Sequence, residues 1–162
     1  MKNFQVTSKE DGKQYWISRS CAVSAFIFVI NSNREVFVLA NKRGPGAADF
    51  HGFWNCPCGY IDFDETGTEA AAREIFEETG YKINHKFLRL YGVQTDPKEN
   101  RQNITIRYFS IIRHKDLLKS QPVGGENQEV SEVKLIPINN IRLYKWAFNH
   151  DKIISEIYGS YI

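Results

Sequence analysis

The longest apolar run in the chain, residues 22–30 (AVSAFIFVI), constrains the fold more than any other segment. At about nine residues, with Ser24 inside it, the run is far short of the ~20 that a membrane helix needs. It therefore reads as a buried strand. The Val, Ile and Phe content predicts an extended, largely buried segment over 16–30. Asn31-Ser32-Asn33 is a polar turn signal, and 35–40 (EVFVLA) reads as the returning strand of a hairpin.

Beyond the hairpin, residues 41–53 carry Gly44, Pro45, Gly46 and Gly52 and predict a loop. Residues 54–64 read as a short, irregular extended stretch. The clearest helix is 68–79 (TEAAAREIFEET), with Thr66 or Thr68 as its cap, Glu69 in its first turn and Gly80 at its end. Two further strands are expected over 81–95 and 104–113, split by a turn at 96–100. A polar loop follows over 120–128, then an extended segment over 130–138 and a closing amphipathic helix over 140–158. Mixed strands with one central and one terminal helix predict a layered α/β or α+β domain, and the whole of 1–162 reads as one unit.

The formal charge is +2, which gives no bulk electrostatic argument for nucleic acid or for a membrane as partner. The three cysteines, Cys21, Cys56 and Cys58, are odd in number and no secretory segment precedes them. Reduced thiols in a cytoplasmic protein are the expectation. Cys56 and Cys58 lack the second Cys/His pair of a zinc site and read as small, partly buried side chains.

The predicted helix carries the chemistry. Glu74, Glu77 and Glu78 stand at i, i+3 and i+4 and share one face, while Ala71, Ala72, Ile75, Phe76 and Thr79 take the other. Neighbouring carboxylates repel one another on a solvated helix, and Arg73 offsets this only in part. A hard divalent cation turns such a cluster into an advantage, because it seeks oxygen ligands. Many surface helices carry the same three glutamates as solubilising charge, so the face alone leaves both readings open.

The flanking residues decide between them. Gly59, Glu65, Arg73, Glu74, Ile75, Glu77, Glu78, Gly80 and Tyr81 follow the spacing G-x₅-E-x₇-R-E-U-x-E-E-x-G-U, where U is a bulky apolar residue. This pattern resembles the Nudix box, with all specified positions matched and Tyr81 accepted at the last. The resemblance implies an α/β/α sandwich with a mixed sheet and a loop–helix–loop motif. It implies Mg²⁺, or Mn²⁺, held by Glu77 and Glu78, with Glu74 as a further ligand or base. Gly59, Glu65, Arg73 and Gly80 are implied to be structural, with Glu65 and Arg73 forming an ion pair. The backbone carbonyl before the first glycine of the box often joins the metal shell in the family. Here that carbonyl belongs to Cys58, where glycine is common, so a side chain stands beside the site.

A carboxylate within reach of the attacking water acts as base. Glu74, Glu78 and a residue from a later loop are the candidates, and in that later region both Glu126 and Glu129 stand. Glu129 is favoured because a strand start would hold it more firmly. Substrate choice must be read outside the box. Pro97, about sixteen residues past Tyr81, resembles the proline of the ADP-ribose pyrophosphatase branch and would stiffen its loop. Phe50 and Tyr60 are candidate base-stacking residues, Arg43 is a candidate phosphate contact, and Trp54 reads as packing. His51, His85, His114 and His150 read as surface or local structure.

The leading expectation is Mg²⁺-dependent hydrolysis of a nucleoside diphosphate linked to another moiety, with ADP-ribose the first compound to test. A house-cleaning nucleoside triphosphate pyrophosphohydrolase is the alternative within the class. A non-catalytic nucleotide-sensing domain is the alternative outside it, against which the intact set of box carboxylates argues. A homodimer is compatible with the surface left by the apolar N-terminal strand and the C-terminal helix.

Overall fold

The computed structural model describes residues 2–119 and 128–162. The predicted central strand is β3, Ser20–Ile30, preceded by two short strands, β1 (Phe4–Thr7) and β2 (Gln14–Ile17). Strand β4 covers Val36–Arg43, β5 Trp54–Asn55 and β6 Cys58–Tyr60. Helix α1 covers Gly67–Thr79 and is followed by β7 (Tyr81–Lys82), β8 (Arg89–Gln94) and β9 (Asn103–Arg113). Strands β10 (Leu118–Lys119) and β11 (Val130–Pro137) and helix α2 (His150–Tyr161) complete the order.

The main sheet runs β11-β4-β3-β9-β8, with β5 joined to β4 and β6 to β3. Strands β3 and β9 are parallel and the other pairs along this path antiparallel, so the sheet is mixed. Alternation along β3 shows why it is apolar at every step from Ala25 to Ile30. Val23, Ala25, Ile27 and Val29 pack with Ala70, Ala71 and Ile75 of α1. Phe26 and Phe28 face the other way, toward Ile153, Ile154 and Ile157 of α2. A strand covered on both faces has no solvated side to give to polar residues. The α/β/α sandwich expected from the box is the observed architecture.

Four expectations shift. The extended segment over 16–30 is buried only from Ala22 onward; β1 and β2 form an exposed hairpin of their own, with Trp16 67% exposed. Strand β4 runs past residue 40 to Arg43, because Asn41 and Lys42 pair with both β5 and β11. The strand over 81–95 is interrupted by a 3₁₀ turn, His85–Phe87, whose start Asn84 caps by accepting from the Lys86 N–H. The closing helix begins at His150 rather than 140. The chain before it forms a 3₁₀ segment, Ile138–Leu143, and then bonds to β5: the Trp54 N–H reaches the Lys145 carbonyl and the Ala147 N–H reaches the Trp54 carbonyl, each at 2.8 Å. Phe148 and Asn149 both have positive φ, which stops the helix from extending backward. Among the described residues no helix is long and apolar enough to cross a membrane.

Candidate active site

Helix α1 is fixed at both ends by its own sequence. Thr66 is the cap: its Oγ1 accepts the Glu69 N–H while the Glu69 carboxylate accepts the Thr66 N–H, a capping box. Gly80 ends the helix at φ 73°, in the left-handed region, and its N–H bonds the Phe76 carbonyl at 2.8 Å. Ala70, Ala71, Ile75 and Thr79 are buried against the sheet. That rotation leaves Glu74, Glu77 and Glu78 on the face turned away from the core.

Arg73 organises the approach to this face. Its Nε and Nη2 donate to Glu65 Oε2 and Oε1 at 3.1 and 2.6 Å, and Nη2 also reaches the Tyr60 carbonyl at 2.8 Å. The Glu65 carboxylate also accepts the Asp62 N–H at 2.9 Å. The fork thus ties the strand–helix loop to α1, and the Arg73 guanidinium holds the Glu65 carboxyl below the usual range. Nη1 of Arg73 donates to Glu74 at 2.7 Å and to Glu77 at 3.0 Å.

Glu74, Glu78, Cys58, Gly59 and Glu129 line one cleft of about 320 Å³ together with Arg43, Tyr60 and Arg73. Glu77 does not line it; its half-exposed carboxylate rests on Arg73. Gly59 is where the backbone passes Glu74: a Cβ there would fall 2.1 Å from Glu74 Oε1. The Cys58 N–H donates to Glu78 Oε2 at 3.1 Å. Glu78 makes no ion pair among the described residues, and burial, with the Glu74 charge next in weight, raises its carboxyl to about 8. Burial likewise raises Glu74, against the opposing effect of Arg73. The Cys58 thiol is pushed up by burial and by Glu78, and its Sγ lies 3.3 Å from Asn55 Nδ2. Glu129 stands one residue before β11, its carbonyl bonded by the Gly44 N–H at 2.7 Å. Glu126 lies outside the described residues, as does most of the 120–128 loop.

A second cleft, of about 470 Å³, shares Arg43, Ala48, Cys58, Gly59 and Tyr60 with the first. Arg43 donates to Asp49 through Nη2 at 2.7 Å and through Nε to the Asp49 carbonyl at 2.8 Å, and it lies over the Phe148 ring. Tyr60 is exposed at the junction, with its hydroxyl 3.4 Å from Asn103 Oδ1. Phe50 lines neither cleft, because its ring packs edge-on against Phe53 and Phe148. Pro97 does not reach the cleft either. Its neighbours Gln94, Glu99 and Asn100 do, and Arg19 anchors that turn by bonding the Thr95 and Asn100 carbonyls at 2.6 and 2.5 Å. Trp54 is buried packing, edge-on to Tyr144.

The sequence reading missed Ser24, Asn103, Asn149 and His150 as lining of this cleft, whereas Arg107, which with Arg43 could be read as a phosphate contact, does line it. His150, read as surface or local structure, is buried, and its Nδ1 accepts the Cys56 N–H at 3.0 Å. Burial, with the Arg107 and Arg43 charges, pushes its ring down to about 3, so it is neutral.

The NUDIX domain model matches residues 22–157, most of the chain. The chain belongs to the Nudix family. It is a Nudix hydrolase, an enzyme of the diphosphatase kind. One relative is the ADP-ribose pyrophosphatase of Methanocaldococcus jannaschii, 30% identical over 94% of this chain and 82% of that protein. Another is phosphatase NudJ of Escherichia coli K12, 49% identical over 93 residues, which cover 55% of this chain and 58% of that protein. Among solved structures, the NUDIX domain of Shewanella oneidensis NrtR in complex with ADP ribose superposes with a TM-score of 0.71. That likeness, at 20% identity over 88% of each chain, concerns the fold.

The donor set of this Nudix hydrolase suits a hard divalent cation. Glu78 is enclosed and makes no ion pair among the described residues, so its ionised form is disfavoured, the condition a bound cation would relieve. Among the described residues no three acidic, histidine or cysteine side chains are already gathered as a cage. The reason is visible in the arrangement: one guanidinium nitrogen of Arg73 draws both Glu74 and Glu77 to itself.

Proposed function

We propose that the enzyme hydrolyses the diphosphate linkage of a nucleoside diphosphate joined to another moiety, with ADP-ribose as the first compound to test. The observation that carries this reading is the shared wall of the two clefts. A cleft lined by Glu74, Glu78 and Glu129 opens through Arg43 and Tyr60 into a larger one lined mainly by amides and hydroxyls, with Arg107, Asp49 and Glu99 among them. A diphosphate in the first places its attached group in the second. The relative named as an ADP-ribose pyrophosphatase, similar over nearly the whole chain, supports the choice of compound.

In this reading Glu74, Glu77, Glu78 and the Cys58 carbonyl hold Mg²⁺ or Mn²⁺, which when bound supplies the positive charge that offsets the diphosphate oxygens. Glu74 and Glu77 each give one oxygen to Arg73 Nη1 and have the other for the ion, while the paired bonds to Glu65 keep the guanidinium in place. Glu129 lines the same cleft from the residue before β11 and takes the proton from the attacking water, with Glu74 or Glu78 able to serve in its stead. Arg43, kept extended by Asp49, contacts phosphate oxygens at the junction. Tyr60 covers the same point.

The test is a metal-supplemented panel of diphosphates and nucleoside triphosphates with product identification. AMP and ribose 5-phosphate from ADP-ribose are the expected products. Release of pyrophosphate from triphosphates, with ADP-ribose untouched, would replace this reading by the house-cleaning one. Binding with no turnover on the whole panel would reject both.

A further inference from the structure

His150 opens helix α2 but faces inward, 4% exposed, with Phe26 and Phe148 rings 5.1 and 5.6 Å away. The Cys56 N–H donates to its Nδ1 at 3.0 Å. A ring nitrogen that accepts carries no hydrogen, so in the neutral imidazole the hydrogen sits on Nε2. The backbone therefore fixes the tautomer. Among the described residues Nε2 has no hydrogen-bond partner, and His150 lines the second cleft. Ser24 lines the same cleft from β3; it is 1% exposed, and its Oγ has no partner. An enclosed polar group is normally satisfied, so the unpartnered Ser24 Oγ, on the same cleft as the uncommitted Nε2 of His150, marks a place where a ligand completes both.

We propose that His150 Nε2–H and Ser24 Oγ are specificity-determining groups that bind a neutral hydrogen-bond acceptor on the part of the substrate beyond the diphosphate. The acceptor is a ring nitrogen or carbonyl oxygen of a base, or a sugar hydroxyl. His150 can only donate here, because its other nitrogen is committed to Cys56. A group that offers only a donor at this point would face the hydrogen of Nε2 and be rejected. The inference rests on the reading that the second cleft holds this part of the substrate.

Two substitutions separate recognition from support. In His150→Asn the amide oxygen takes the place of Nδ1 and keeps the Cys56 N–H bonded, while the donor is lost. In His150→Gln the amide nitrogen takes the place of Nε2, while the acceptor for Cys56 is lost. On whichever diphosphate of the panel is turned over fastest, KM in His150→Asn should exceed that in His150→Gln by about tenfold, with the loss in KM rather than kcat. Melting temperature should rank the other way, with His150→Gln the lower. Ser24→Ala should raise KM several-fold.

Product inhibition by the nucleoside monophosphate and by the second product shows which half carries the acceptor. Weakened inhibition by either one in His150→Asn supports the proposal, and unchanged inhibition by both overturns it. KM values within twofold of each other, or KM tracking melting temperature, would also overturn it. Those results would leave the diphosphatase reading intact, whereas absence of turnover by the wild-type enzyme on the whole panel would remove that reading and this inference together.

Discussion

The Cβ that Gly59 lacks would lie 2.1 Å from Oε1 of Glu74, inside any normal contact distance. Gly59 is not among the positive-φ glycines, so its backbone would accept alanine without strain. The methyl group must instead push the Glu74 carboxylate away from its bond to Arg73 Nη1. Gly59→Ala should therefore cost activity far more than stability: kcat lower by at least about tenfold, with melting temperature nearly unchanged. Steady-state kinetics beside a thermal melt would check this, and wild-type kcat in a well-folded variant would refute it.

Arg73 and Glu65 make the opposite case, a site pair whose loss is felt by the fold. Two parallel bonds join them, and the same guanidinium holds the Tyr60 carbonyl. Arg73→Ala leaves Glu65 and Glu74 without their cation in a partly enclosed setting, a loss of about 2 kcal/mol. For a chain of this size that lowers the melting temperature by roughly 4–8 °C. Arg73→Lys should restore little, because a point charge cannot reproduce the fork. Full recovery of the melting temperature by lysine would show that charge, not geometry, is what the loop requires.

What the sequence made legible was whatever lies close along the chain. Thr66, Glu69 and Gly80 set the ends of α1 by contacts within a few residues, and the i, i+3, i+4 spacing set its acidic face. The central strand was legible because burial on both faces removes polar residues. The second cleft was hidden because it is assembled from distant segments. Ser24 meets Arg107 only through the parallel pairing of β3 with β9, and His150 arrives from the far end of the chain. Glu77 lay on the expected face, yet its rotamer is chosen by Arg73, which a helical wheel does not show. The start of α2 was misjudged because an amphipathic pattern cannot reveal that residues 145–147 are bonded to Trp54.

His150 also sets an acid limit. Its ring ionises near 6.5 when unfolded and near 3 when folded, because burial, then Arg107 and Arg43, disfavour the cation. The folded state thus binds fewer protons between those values, and this contribution to stability is present above pH 6.5 and is lost as pH falls toward 3. Denaturant titrations of the wild type across this window should show a steeper decline than those of His150→Asn, which has no group to protonate there. Parallel curves for the two proteins would show that the histidine contributes nothing to acid sensitivity.

Glu78 works in the other direction. Its carboxyl, at about 8 in the folded protein against a reference of 4.5, keeps its proton through the neutral range. The folded, metal-free protein binds more protons than the unfolded chain between those values, so this contribution is full below 4.5 and is lost as pH rises through 8. A cation held by Glu78 must displace that proton, so binding strengthens with pH and releases up to about one proton per ion. In chelator the melting temperature of the wild type should fall from pH 6 to pH 8 relative to Glu78→Gln, and saturating Mg²⁺ should reverse the trend. Calorimetric titration of Mg²⁺ in two buffers of different ionisation enthalpy measures the released proton directly. Glu78→Gln should also lower kcat by about a hundredfold or more, whether the carboxylate holds the ion or takes the proton. Mg²⁺ affinity that does not change between pH 6 and pH 8 would mean that Glu78 is already ionised without the metal.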